Sequence, residues 1–300
     1  MAVTTRVGSL TVVATPLGNA DDLSPRAARA LRTATVLVAE DTRSARRLLA
    51  DLGAGGDSGA RTILSCYDAN EAARAAEVAD CLRAGVDVVL VSEAGTPLVS
   101  DPGYRIVAAA IAAGARVVPV PGPAAVLAAL VGSGLPSDRF LFHGFPPRKS
   151  GPRRRLFESL RALPATLVFY ESPMRTAATL ADLAATLGPG RRACVARELT
   201  KEHEEFARDT LGGLAARYAD GRPLGEVTLV VEGASAEAEA ESWNDEALTE
   251  KAGELLARGL TPRDAARDLA ALSGRARREV YGLVVRLAGG GEADEPDSAE

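Results

Sequence analysis

The stretch 89-VLVSEAGTPLVSDPG-103 decides the fold. The apolar run Val88-Val89-Leu90-Val91 stops at a loop dense in Gly, Thr, Ser, Asp and Pro. A continuous apolar run suits a strand buried on both faces. An abrupt polar ending suits the carboxyl end of a parallel strand, where open α/β sheets bind ligands. Pro97 and Pro102 fix φ, while Gly95 and Gly103 permit backbone angles that other residues resist. Such a loop presets main-chain donors and acceptors for a small polar ligand. An ordinary strand-to-helix turn is shorter and less dense in these residues.

Working outward, the same rhythm repeats. Strands are expected at 7–14, 36–39, 62–66 and 116–120, with helices between them. Ser24-Pro25 supplies an N-cap and an N1 proline for the first helix. Glu40-Asp41-Thr42-Arg43 opens the second, which Gly53 closes; helices at 70–84 and 104–113 end at Gly85 and Gly114. This βαβ order predicts an α/β fold, with a mainly parallel sheet covered on both faces, over residues 1–122. A second α/β domain of mixed strand direction is expected over 123–233. It starts with a helix at 123–131 and takes strands at 139–142, 166–170, 194–196 and 227–231. Helices at 153–162 and 174–187 lie between them. Residues 234–242 read as an acidic linker, 243–288 as a small helical region, and 289–300 as a disordered tail. The last two helices, joined at Ser273-Gly274, fit a helix-turn-helix or a small cap, the cap being preferred.

Composition narrows the function. Hydrophobic residues make up 47% and charged residues 25%, the balance of a globular enzyme. Aromatics are 4%, too few for a broad base-stacking platform. The net charge of −5 confines any nucleic-acid contact to a local patch. Cys66, Cys81 and Cys194 have no metal-binding spacing, which points to reduced thiols. No apolar segment approaches the roughly 20 residues of a membrane span. The opening MAVTTRVGSL has no signal-peptide core, so a cytoplasmic location is expected.

Five loops should converge at the carboxyl ends of strands: 15–19, 40–43, 93–103, 121–123 and 171–173. They predict a composite cleft between the domains. Dinucleotide, P-loop and GxSxG signatures are absent. His143 and His203 are the two histidines; His143 reads as structural or at the substrate edge, and His203 lies in 201-KEHEE-205, a solvated charged run. No metal site is expected, for want of a ligand cluster.

Nine motifs then occur in order: TPLGN, AEDTR, SEAGTPLVSDPGY, VPVPGPAA, SGLPSDRF, GFPPRK, FYESPMR, ARELTK and GEVTLVVEG. Together they resemble the tetrapyrrole methylase superfamily, in its branch that methylates the ribose 2′-oxygen of a cytidine in small-subunit (16S) ribosomal RNA. The similarity covers about residues 8–288. Glu93 is a departure, since the family usually has Asp there, but the charge is kept. The resemblance implies S-adenosylmethionine as methyl donor, bound in the interdomain cleft. It also implies a homodimer acting on ribosomal RNA or the small subunit. By the match, Leu17, Thr96, Val99, Ala124 and Ala125 line the donor site, with Tyr170, Ala196 and Glu226 near it. Gly95, Pro97 and Asp101 belong to the same loop, whose carbonyls suit the donor's ammonium and adenine amine. Amides at the start of the Pro123 helix could hold its carboxylate.

For the chemistry, Asp41, Asp101, Glu171 and Glu198 are candidate bases. Arg43, Arg175, Arg197 and Lys201 are candidate stabilisers of a developing alkoxide. Asp41, Arg43, Glu171 and Lys201 are preferred, against a plain structural role for each. Arg148, Lys149, Arg153, Arg154 and Arg155 are expected to meet RNA phosphates. Basic side chains in a helix's first turn oppose its dipole, which favours a surface made for anions over a merely solvated one. Two alternatives remain open: a methylase of the same superfamily acting on a tetrapyrrole or a protein side chain, and a non-catalytic RNA-binding assembly factor.

Overall fold

A computed structural model describes residues 6–55, 61–219, 221, 225–234 and 245–289. The first sheet comprises β1 (Ser9–Val13), β2 (Val36–Ala39), β3 (Thr62–Ser65), β4 (Val88–Val91) and β5 (Arg116–Val120). Its order is β3-β2-β4-β1-β5 and every pairing is parallel. Side chains alternate faces along a strand, so an all-apolar strand serves two layers. Val88 and Leu90 meet Val78 and Leu82 of α3 (Glu71–Arg83) and Ile106 of α4 (Tyr104–Ala112). Val89 and Val91 meet Ala27 and Leu31 of α1 (Pro25–Thr33) and Ala45 and Leu49 of α2 (Thr42–Asp51).

Capping side chains fix where the helices start. The Ser24 hydroxyl accepts from the Ala27 amide at 3.1 Å, with Pro25 following. Asp41 caps α2, its carboxylate accepting from the Arg43 and Ser44 amides. Both satisfy amides that the helix itself leaves open.

The second sheet contains β6 (Phe140–Gly144), β7 (Thr166–Glu171), β8 (Arg192–Arg197), β9 (Glu205–Thr210) and β10 (Val227–Val231), in the order β6-β7-β10-β8-β9. β6 and β7 are parallel; the other pairings are antiparallel. α5 (Ala125–Ser133) packs Val126, Ala129 and Leu130 on one face, against Val168, Cys194 and Val230. On the other face α6 (Ser150–Ser159), α7 (Thr176–Leu187) and α8 (Leu211–Arg217) enclose Leu167, Phe169, Val195 and Leu229. Strand β9 and helix α8 go beyond the sequence reading. Glu205 belongs to the edge strand β9, whose run EFARDT buries only Ala207 fully. Charges on an edge strand discourage further pairing and hide its strand character.

Leu17 and Val99 from the first domain pack with Ala124, Phe142, Tyr170 and Phe206 of the second, which closes the two sheets over a cleft. Helices Asp245–Ala257, Pro262–Ser273 and Arg277–Gly289 build a separate core from Leu248, Leu255, Leu269, Val280 and Val284. The expected acidic linker, from 235 on, and the tail, from 290 on, lie outside the described residues. No described helix is long and apolar enough to cross a membrane.

Candidate active site

The cleft has a volume of about 760 Å³, the size of a small-molecule site. One wall comes from the first sheet: Leu17 after β1, Glu40 after β2, and Glu93–Thr96 with Val99–Asp101 after β4. The N-terminus of α5 adds Ala124 and Ala125. The other wall takes Phe145 after β6, Tyr170–Pro173 at the end of β7, Glu198 and Lys201 after β8, and Gly225–Thr228 entering β10. The register explains this second wall. Val227 lies opposite both Glu171 and Arg197, so one row of the sheet delivers all three segments to the cleft.

The loop after β4 is held tightly. Thr15 and Gly95 exchange backbone hydrogen bonds of 2.8 and 3.1 Å. Thr96 Oγ1 donates to the Pro123 carbonyl at 2.8 Å, tying the loop to α5. Gly95 has φ +79°, and a Cβ there would stand 3.1 Å from Leu17 Cδ2. Leu98 and Ser100 take φ 72° and 70°, a left-handed conformation that side chains resist. Such strain persists only where the surroundings over-determine it, and it clusters at ligand sites.

Three carboxylates, Glu40, Glu93 and Asp101, share the first wall. Burial, reinforced by the Glu40 and Glu93 charges, pushes Asp101 up to about 6, against a hydrogen bond from Ser92. The opposite wall carries a cation. Lys201 Nζ donates to Glu198 Oε1 at 2.9 Å and to Glu226 Oε2 at 3.2 Å. Burial works against the Lys201 charge, but the two carboxylates outweigh it and raise its pKa. The hydrogen bond from Lys201 in turn holds Glu198 below its ordinary value. Glu198 and Thr200 are again left-handed, at φ 50° and 66°. Thr200 Oγ1 accepts from the Asn19 amide at 3.2 Å, a direct bond between the domains. A Cβ on Gly18 would fall 2.2 Å from Lys201 Cγ, so the lysine stem lies on bare backbone.

Of the expected donor-site residues, Leu17, Gly95, Thr96, Val99, Asp101, Ala124, Ala125, Tyr170 and Glu226 line the cleft. Pro97 and Ala196 do not. Pro97 is buried within the loop, and Ala196 is fully buried in the core against which Tyr170 packs. The Val126 amide at the head of α5 donates to the Tyr170 hydroxyl at 3.1 Å, so it is committed to a side chain.

The four residues preferred for chemistry separate. Lys201 and Glu171 line the cleft; Asp41 and Arg43 do not. Asp41 is spent on capping α2, and the Arg43 side chain and amide hold it at about 2, which makes it a poor proton acceptor. Arg43 is 88% exposed, its guanidinium turned back to Asp41 at 2.9 Å. Glu171 reaches the wall but has both oxygens engaged. Oε1 accepts from the Ser172 amide and Arg175 Nε, each at 2.7 Å, and Oε2 accepts from Thr179 Oγ1 at 2.6 Å. Its role is to brace the end of β7. Arg175 and Arg197 are similarly paired, with Glu171 and with Glu205.

Among the basic residues, Arg148, Lys149, Arg154 and Arg155 are exposed on or beside α6. Arg153 is corrected: at 4% exposure it lies inside, donating from Nε to Asp182 Oδ2 at 2.9 Å. Helical periodicity turns this one member of the RRR run onto α7. Glu40, Glu93 and Phe145 are wall residues that sequence reasoning did not assign. Phe145, 56% exposed and edge-on to Tyr170, was available as the lone aromatic of GFPPRK.

Comparison with known proteins fits this architecture. Residues 9–215 match the family model Tetrapyrrole (Corrin/Porphyrin) Methylases. A Synechocystis protein called ribosomal RNA small subunit methyltransferase I is 42% identical over 94% of this chain and 99% of its own. The protein of that name from Mycobacterium tuberculosis strain H37Rv is 45% identical over 93% of this chain and 95% of its own. Among solved structures, the methyltransferase CobJ superposes with a TM-score of 0.57 at 23% identity, covering 76% of this chain and 95% of its own. Uroporphyrin-III C-methyl transferase from Thermus thermophilus, complexed with S-adenyl homocysteine, does so with a TM-score of 0.52 at 21% identity, over 74% and 97%. The two-sheet fold is that of a tetrapyrrole methylase. This chain belongs to that family, and within it to the ribosomal RNA small subunit methyltransferase I family of its curated relatives.

Proposed function

We propose that this protein transfers a methyl group from S-adenosylmethionine to the ribose 2′-oxygen of a cytidine in small-subunit ribosomal RNA. The observation that carries the reading is a cleft with an acidic wall, lined by Phe145 just ahead in sequence of the exposed basic residues of α6, in a chain that matches rRNA methyltransferases along nearly its whole length. The donor bears a sulfonium, an ammonium and one carboxylate, so it is a net cation. Glu40, Glu93 and Asp101 supply the complementary charge, and a bound cation returns Asp101 toward its ordinary pKa. Gly95, Ala124 and Ala125 give the donor close backbone approach, Leu17, Val99 and Tyr170 an apolar floor, and Thr96 and Glu226 polar groups at its edge.

When bound, the donor supplies an electrophilic methyl on sulfur. The chain's task is to place the acceptor oxygen in line with it, and positioning of this kind accounts for roughly 7–11 kcal/mol of a barrier. Lys201, held by Glu198 and Glu226, keeps a third donor for the acceptor oxygen and favours negative charge there. Arg148, Lys149, Arg154 and Arg155 take RNA phosphates, and Phe145 offers its ring to a base at the mouth. The protein works in the cytoplasm as a homodimer. Support for the dimer comes from Tyr104 and Ile111 on α4 and Leu127 and Val131 on α5, large apolar side chains left exposed. Mapping ribose methylation in rRNA of cells lacking this protein tests the reading. One small-subunit methyl mark is expected to vanish and to return with the gene. An unchanged map would overturn it.

A further inference from the structure

The helices on the two faces of the first sheet differ in charge. One layer, α3 and α4, is balanced, with Arg74, Arg83 and Arg105 against Glu71, Glu77 and Asp80. The opposite layer, α1 and α2, carries Arg26, Arg29, Arg32, Arg43, Arg46 and Arg47 against Asp51 alone. All six arginines are exposed. They fall at i, i+3 and i+4 spacings, so each helix presents them as one stripe, while its other face buries Ala27, Leu31, Ala45 and Leu49 in a common core. Among the described residues, Asp41 on Arg43 is the one carboxylate paired with any of the six. Arg26 and Arg46 reach only neutral groups, the Pro119 carbonyl and Thr42. Arg29, Arg32 and Arg47 have no side-chain partner among those residues. Arg26 and Arg43 also stand in first turns, where a cation opposes the helix dipole.

A layer this basic, in a chain of net charge −5, is not explained by stability. Its position is informative. Ser44, in the first turn of α2, hydrogen-bonds through Oγ to Glu93 Oε1 at 3.2 Å, and Glu93 lines the cleft. The arginine stripe of α2 therefore begins at the cleft rim and runs away from it, on the domain that does not carry the α6 cluster.

We propose that the α1–α2 face is a second phosphate-binding surface, which holds the RNA backbone flanking the acceptor nucleotide on the first-domain side of the cleft. The proposal rests on the RNA reading above. It gives the substrate two grips, one on each domain. Arginine suits the task because its planar fork matches phosphate oxygens.

The test is a variant with Arg29→Ala, Arg32→Ala, Arg46→Ala and Arg47→Ala, compared with the same four positions changed to Lys. All four side chains are exposed, so the fold is retained, and donor binding by calorimetry serves as the control. Binding to a small-subunit rRNA fragment is measured against salt concentration. Each phosphate left without its arginine should reduce the log–log salt slope by roughly 0.7–0.9, so the Ala variant should fall by about 3 and the Lys variant by much less. An unchanged slope and affinity in the Ala variant overturns the proposal. So does normal binding of free RNA with loss of methylation on assembled subunits, which would assign the face to a protein partner. Failure of the parent protein itself to bind RNA overturns the RNA reading, and that outcome is visible without any variant.

Discussion

The two sheets supply opposite walls of one cleft by different means. In the first, all five strands are parallel, so every strand-to-helix loop emerges on the same side. Leu17, Glu40 and the Glu93–Asp101 loop reach the cleft because the topology leaves them no other place. In the second, strands run both ways. Its wall mixes the carboxyl end of β7, the amino end of β10 and the turn between β8 and β9. A parallel sheet makes its site by topology alone. A mixed sheet needs register, a buried ion pair and a strained turn to do the same.

The largest expected effect tests that contrast at Glu171. This carboxylate, 2% exposed, braces the second wall through Ser172, Arg175 and Thr179. Glu171→Ala leaves Arg175 without its partner and should cost about 3 kcal/mol, the lower end of the range for a broken buried pair, because Arg175 keeps some water contact. Chemical denaturation measures it. A change near zero would mean that the second wall needs no brace.

On the first wall, Gly95→Val should spare the fold and damage the site. The left-handed φ and the nearness of Leu17 leave no room for a branched Cβ. Donor affinity should fall at least tenfold, about 1.4 kcal/mol, as read by calorimetry. Undiminished binding in a folded variant would remove this loop from the donor site. Lys201→Met should slow methyl transfer roughly tenfold in single-turnover assays while donor binding changes little. An equal drop in donor affinity would make Lys201 a donor ligand instead.

The smallest effect concerns pH. The folded value of Asp101, about 6, is raised above its ordinary 3.8. Between those values the folded chain takes up a proton, so this group's contribution to stability falls as pH rises from about 4 to about 6. Donor binding runs the other way, because a cation prefers the ionised form. Affinity at about pH 5.5 should be about fourfold weaker than at about pH 7.5, and Asp101→Asn should flatten the difference. A wild-type profile without this slope would separate Asp101 from the donor.

What was legible follows the same division. The apolar run Val88–Val91 and the capped helix starts specify the parallel sheet and its loops, since they state period, length and termini directly. Most of the residues that the ordered motifs pointed to do line the cleft. Asp41 and Arg43 lie outside the cleft lining, and in sequence a capping aspartate and a catalytic one look alike at the end of a strand. Only the cap geometry tells them apart. Arg153 misled because three successive arginines cannot all face water on a packed helix. Strand β9 was hidden because an edge strand of charged residues has little burial pattern to read.

The contact of Gly18 with Lys201 also constrains how this protein can change over generations. The lysine stem occupies the space of a Cβ at position 18, and Gly225 is pressed as closely by Glu198. Replacing Gly18 by even Ala displaces the stem before the head group has another anchor. Shortening residue 201 first removes the cation while the glycine is still bare. On the role proposed for Lys201, either single step costs activity, which couples two positions far apart in sequence.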